Sequence, residues 1–219
     1  MHHELRAFAD AGAVADAAAD YVAHCANGSI EHHGNFTFAV SGGRTPWAMF
    51  ETLVRKDVDW SRVVIYQVDE RIAPVGDATR NLTNLEQILA ECAPAIIAMP
   101  VNAEDLDEAA ATYARRLPER FDLVHLGLGP DGHTASLIPG DPVLEVDDRL
   151  VAITGVYQGE QRMTLTYEAL ARADQLLWLV TGADKSAALA ALLRGDTTIP
   201  AGRVAASSSL VMADEAALA

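Results

Sequence analysis

Two cysteines, Cys25 and Cys92, are all that 219 residues contain. They are too few for a disulfide framework, and their separation matches no zinc-ligand spacing. The chain has no apolar run of the roughly eighteen residues that a membrane helix needs. Its start, Met1-His2-His3-Glu4-Leu5, lacks the basic segment and apolar stretch of a secretory signal, so a cytoplasmic location is expected. Internal repeats, low-complexity tracts and long Pro/Gly/Ser linkers are absent, and one domain over residues 1–219 is expected. Cations are scarce. Sixteen bases stand against 31 acids for a net charge of −15, and Lys56 and Lys185 are the only lysines. Such a balance disfavours nucleic acid and anionic membrane as partners, because both are bound by clustered cations. An anionic metabolite would need a local cationic patch to overcome the same field.

What the chain does have is apolar residues, half of the total, arranged in alternating patterns. Short β-rich runs occur at Phe36 to Val40, Val63 to Val68, Phe121 to Leu126 and Leu176 to Val180. Weaker strand signals lie near Leu150 to Thr154 and Arg203 to Ala206. Near-continuous apolar runs are those of strands buried on both faces, as in a parallel sheet. Between them lie helical stretches. Residues 10–26 are alanine-rich, with Val14, Ala18, Tyr21, Val22 and Cys25 on one stripe. Pro46 suits the first turn of a second helix, where a missing N–H costs nothing. Asn81 to Glu91, Glu104 to Leu117 and Asp184 to Leu193 complete the set. The alternation predicts an α/β fold: a three-layer, Rossmann-like domain with a mostly parallel sheet and helices on both faces. Ligands in such folds sit beyond the carboxyl ends of the strands.

Three segments follow strands in that way. Ser41-Gly42-Gly43-Arg44-Thr45-Pro46 lies between a strand and a helix. Its glycines let backbone N–H groups approach a ligand, and a helix N-terminus adds partial positive charge, so it suits a phosphate. The same residues suit an ordinary βα turn equally well. Asp69-Glu70-Arg71 offers acids and a base for proton transfer and for holding an anionic oxygen, although alone it reads rather as a solvated charged turn. The stretch Leu126 to Gly140, with Gly129-Pro130-Asp131-Gly132-His133 at its centre, is the most informative. A carboxylate two residues from a histidine can fix the imidazole tautomer and favour its proton uptake, which makes His133 the candidate base. His125 lies inside a strand and is expected to be packed. His24, His32 and His33 lie in helix or loop with no acidic constellation and are expected at the surface. No second ligand stands at metal-binding spacing from His133. Arg162 suits a bidentate phosphate contact and Lys185 a point charge, though a lone lysine is more often simply exposed. Trp47, Trp60 and Trp178 are expected to pack in the core or at its rim.

In this order the segments resemble the 6-phosphogluconolactonase family, within the superfamily that includes glucosamine-6-phosphate deaminases and sugar-phosphate isomerases. The most specific match is Gly129-Pro130-Asp131-Gly132-His133-Thr134-Ala135-Ser136-Leu137, followed by Asp69-Glu70-Arg71 with Pro74 and Asn81. Arg162-Met163-Thr164-Leu165-Thr166 and Thr181-Gly182 with Lys185 are weaker matches. Arg44, Arg80 and Ile138 depart from residues common in the family.

The resemblance implies hydrolysis of 6-phosphogluconolactone in the pentose phosphate pathway, without metal or organic cofactor, because a lactone is already an activated ester. It places the phosphate on Ser41, Gly42, Gly43, Arg44 and Thr45 with Arg162 and Lys185, and adds Asn81 to the substrate site. His133 activates water, Asp131 orients its ring, Arg71 holds the oxyanion or a hydroxyl, and Asp69 binds ring hydroxyls. Ser41 is then a phosphate ligand, and Ser136 is expected to cap or pack a short helix. A serine nucleophile lacks its Gly-x-Ser-x-Gly elbow. A deaminase would carry a glutamate five residues after the histidine, where this chain has Ile138. A sugar-phosphate sensing domain would have no need of Asp131 and His133, and no helix-turn-helix accompanies them.

Overall fold

The computed structural model describes residues 2–219; Met1 lies outside them. Along the chain run β1 (Glu4–Phe8), α1 (Ala11–His33), β2 (Phe36–Val40), α2 (Arg44–Leu53), β3 (Val63–Gln67), β4 (Asp69–Arg71) and α3 (Asn81–Ile88). There follow β5 (Ala95–Ile97), α4 (Leu106–Ala114), β6 (Leu123–Gly127), β7 (Val151–Ile153) and β8 (Arg162–Leu165). The last elements are α5 (Tyr167–Leu170), β9 (Gln175–Val180), α6 (Ser186–Leu193), β10 (Ser208–Asp214) and α7 (Glu215–Leu218). Among the described residues no helix is long and apolar enough to cross a membrane.

Seven strands pair in parallel in the order β1-β10-β9-β6-β2-β3-β5. Their apolar runs alternate between two cores, as a period of two demands. Phe36, Phe38 and Val40 of β2, with Leu177, Leu179, Leu210 and Met212, pack on Val14, Ala18 and Val22 of α1 and on Phe50 of α2. Ala39, with Leu176, Trp178, Val180, Val211 and Ala213, faces the other core, built with Tyr113 of α4 and Leu189 of α6. Helices thus cover both faces, as the alternation predicted.

The second core also contains Val151, Met163 and Leu165, which belong to a separate antiparallel sheet of order β4-β8-β7. The strand expected near Leu150 to Thr154 is its β7, but the sequence reading missed the sheet itself, because β4 and β8 span three and four residues and take their pairing from distant partners. Two further corrections concern boundaries. The strand expected near Arg203 to Ala206 begins at Ser208; Pro200–Arg203 is a short 3-10 turn instead. The first helix runs on to His33, where Gly34 at φ 93° ends it in a left-handed cap, a conformation that glycine adopts without penalty.

Strand order also locates the site. From β2 the sheet grows through β3 to β5 on one side, and β6, β9, β10 and β1 lie on the other. The crevice between β2 and β6 is therefore the topological switch point, where the loops leaving both carboxyl ends diverge and leave room for a ligand. Ser41 to Gly43 leave β2 there, and Leu128 to His133 leave β6.

Candidate active site

A cavity of about 410 Å³ opens at this switch point. Ser41, Gly42, Gly43 and Arg44 line it from the first loop, Asp69, Arg71 and Asn81 from the second, and Gly129 and His133 from the third. Arg162 and Lys185 close the wall. Segments separated by more than a hundred residues in sequence meet here. Four cations border the cavity against one lining carboxyl group, Asp69, in a chain of net charge −15. That is the local reversal of field an anionic ligand requires.

The first loop is shaped by close packing. Gly43, at φ 132°, precedes α2 with no side chain capping the helix, so the first N–H groups of α2 remain open to a ligand. A Cβ on Gly42 would come within 1.9 Å of Asn81 Oδ1. Beneath the loop, the Ser41 N–H donates to His125 Nδ1 at 3.3 Å. His125 is fully buried, and burial drives its imidazole down to about 3, so it is neutral with its proton on Nε2. Ser41 is 5% exposed and its hydroxyl has no partner among the described residues; Arg162 is 7% exposed and its Nε has none there either. Buried polar groups of this kind are normally satisfied, and both border the cavity. Arg44 is exposed. Thr45 stands apart from this wall: its hydroxyl bonds Thr181 Oγ1 at 2.7 Å, and it lines an adjoining cavity behind the loop.

The second loop is organised by Glu70. Its buried carboxylate accepts from the N–H groups of Arg71, Asn81 and Leu82 at 2.8 Å each, so it caps α3 from outside the helix. Gln67 Nε2 also donates to it at 2.8 Å, and buried Arg80 lies 3.6 Å away. Glu70 is thus committed to structure, while its neighbours face the cavity. Asp69 accepts from Ser136 Oγ at 2.6 Å, and Asn81 Nδ2 donates to its backbone oxygen at 3.0 Å. Burial raises the Asp69 carboxyl above its usual range, against the Ser136 hydrogen bond and the Arg162 charge. The expected capping or packing role of Ser136 gives way to this one: the side chain is buried and anchors Asp69. Arg71 Nε lies 2.8 Å from Glu160 Oε2, and its NH1 donates to the Thr79 carbonyl.

The third loop carries the histidine. Gly129 N–H donates to the His133 carbonyl at 2.8 Å, and Gly132, at φ 83°, donates to Gly129 O at 3.0 Å. The tight turn sets His133 Nδ1 2.5 Å from Asp131 Oδ1. With Nδ1 occupied, only Nε2 is left for chemistry. The pair packs on the bare face of Gly129, where a Cβ would meet His133 Nδ1 at 2.1 Å. Burial works to raise the Asp131 carboxyl, but hydrogen bonds and charge from His133, with a hydrogen bond from Tyr157, outweigh it and hold it below the usual range. The sequence reading missed Tyr157, whose hydroxyl donates to Asp131 Oδ2 at 3.2 Å; a tyrosine 26 residues downstream carries no motif. It also missed a partner elsewhere: His33, expected to have no acidic constellation, pairs with Asp122 at 2.8 Å on the surface. Trp178 is a core residue, whereas Trp47 lines the cavity.

The chain is similar to known proteins in sequence and fold. The family described as glucosamine-6-phosphate isomerases/6-phosphogluconolactonase matches residues 9–212. A 6-phosphogluconolactonase of Synechocystis sp. is 37% identical over 175 residues, which cover 74% of this chain and 72% of that protein. One from Rhizobium meliloti is 34% identical over 202 residues, 87% of each chain. The crystal structure of the Thermotoga maritima 6-phosphogluconolactonase superposes with a TM-score of 0.88 at 26% identity, covering 97% of this chain and all of that one.

Proposed function

The chain belongs to the glucosamine-6-phosphate isomerase/6-phosphogluconolactonase family and hydrolyses 6-phosphogluconolactone, and we propose that it does so with His133 as the general base of a metal-independent site. The observation that carries this reading is His133 on the wall of a cavity bordered by four cations, with Asp131 2.5 Å from its Nδ1.

The phosphate is held by the open N-terminus of α2, by Ser41, Gly42, Gly43 and Arg44, and by Arg162 and Lys185. Thr45 supports the loop from behind through Thr181. That binding energy places the lactone carbonyl near His133. A water gives its proton to His133 Nε2 and its oxygen attacks the carbonyl carbon. Asp131 holds the tautomer and balances the imidazolium that forms. Arg71 stabilises the oxyanion of the tetrahedral intermediate. When the intermediate collapses, the bond from carbon to ring oxygen breaks, and the ring oxygen leaves as a hydroxyl with the proton returned by His133. Asp69, with Asn81 beside it, accepts hydrogen bonds from substrate hydroxyls. We take residues 1–219 as one domain, since both cores share one sheet, and place it in the cytoplasm.

The test of the phosphate site compares two lactones. Arg162→Ala and Lys185→Ala should each raise KM for the phosphorylated lactone about ten- to a hundredfold, the weight of a charged hydrogen bond. Unphosphorylated gluconolactone should be nearly indifferent. Equal losses on both lactones would remove these residues from the phosphate site.

A further inference from the structure

We infer that Tyr157 is the positioning residue of the Asp131–His133 pair, held over it by a tight turn between β7 and β8; the inference rests on the reading of His133 as the base. The turn is short and closed by two backbone hydrogen bonds. Tyr157 N–H donates to Glu160 O at 2.9 Å and Glu160 N–H returns to Tyr157 O at 3.1 Å. Between them Gln158 (φ 52°) and Gly159 (φ 85°) both take positive φ, the pattern of the tightest hairpins. Residues that close such a turn project their side chains from the same face. That face is turned to the site.

From it, Tyr157 makes three contacts with functional groups and Glu160 makes one. The Tyr157 hydroxyl donates to Asp131 Oδ2 at 3.2 Å, while Asp131 Oδ1 binds His133 Nδ1 at 2.5 Å. Both carboxylate oxygens are thereby used, and the plane of the carboxylate is fixed from two directions. The Tyr157 ring meets the His133 ring edge-on, with centroids 5.8 Å apart, and limits its rotation about the side-chain bonds. On the same ring the Arg162 guanidinium lies 5.5 Å from the centroid, within the range of a cation–π contact. Glu160 ties the other arm of the turn to Arg71 at 2.8 Å. Asp131 stands at the exposed tip of its loop with its side chain 35% exposed; the loop engages only Oδ1, through the His133 ring and the His133 N–H at 3.2 Å, and leaves Oδ2 free. Tyr157 supplies the missing constraint and links the proton-transfer pair to the cation assigned to phosphate.

Tyr157→Phe keeps the ring against His133 and Arg162 and removes only the hydroxyl from Asp131. Its kcat should fall about tenfold on both lactones, since small misplacement of a catalytic group costs up to about a hundredfold, while KM and the thermal midpoint stay at wild-type values. Tyr157→Leu removes the ring as well. It should lower kcat at least as far and, in addition, raise KM about threefold for the phosphorylated lactone alone, within the strength of a surface cation–π contact. A merely structural tyrosine would lower the thermal midpoint without that split between kcat and KM. Wild-type kcat in Tyr157→Phe, measured beside an inactive His133→Ala, overturns the inference and leaves the base in place. Activity retained by His133→Ala would instead overturn the reading on which it rests.

Discussion

His125 and His133 lie eight positions apart, on β6 and on the loop that leaves it, and their surroundings give them opposite roles. His133 keeps an accessible nitrogen beside a carboxylate. His125 is sealed beneath Ser41 and serves as a neutral acceptor. Its depressed value has a consequence for stability. The unfolded chain takes up a proton near pH 6.5 while the folded chain does so only near 3, so the unfolded state binds more protons between those values. The stability contribution is complete above the unfolded value and is lost as pH falls through that window, by about 1.4 kcal/mol per pH unit from this one group. His125→Asn keeps an acceptor for the Ser41 N–H but does not titrate. Denaturant melts at pH 7, 6 and 5 should show the variant losing less stability per unit than the wild type. Parallel slopes would mean that His125 is charged in the folded protein.

Elements carry the site through close packing of loops. Gly42 rests on Asn81, and Asn81 opens α3, whose N–H groups Glu70 caps. A methyl at position 42 would force the phosphate loop and the start of α3 apart. Gly42→Ala should therefore cost about 1–3 kcal/mol of stability, as overpacking does, and lower kcat/KM on the phosphorylated lactone at least tenfold. An unchanged melting midpoint with unchanged kcat/KM would refute that packing. The central strands β9, β6, β2 and β3 were legible in the sequence because they are mostly buried and read as apolar runs, such as Phe36 to Val40; the edge strands β1 and β5 were not, since most of their residues are exposed or only half-buried. The loop ending in His133 was legible too, as its glycines and acid-base pair are contiguous. The small sheet was not, since Asp69–Arg71 looks like a charged turn until Arg162–Leu165 pairs with it. Glu70 looked like a solvated acid for the same reason. Tyr157 was invisible because its partners are brought to it only by the hairpin that Gln158 and Gly159 close.

At the scale of the molecule, the fold alone does not choose between chemistries, because one scaffold supports many by changing the residues at its loops. What chooses here is the loop that leaves β6 and carries His133. Ile138, five residues after His133, is apolar and 5% exposed, so it cannot move a proton at any pH. Opening, isomerising and deaminating an amino sugar takes more proton transfers than one hydrolysis. Incubation with glucosamine 6-phosphate should therefore release no ammonia, and release at a rate rivalling lactone hydrolysis would contradict the assignment. The most direct test of the central claim is hydrolysis of freshly prepared 6-phosphogluconolactone by the wild type and His133→Ala, coupled to oxidation of the product and corrected for spontaneous opening. The account predicts a variant that folds with an unchanged melting midpoint and turns over about 10²–10⁴-fold more slowly, the usual loss with a general base; a folded variant within a few-fold of wild-type kcat would contradict it.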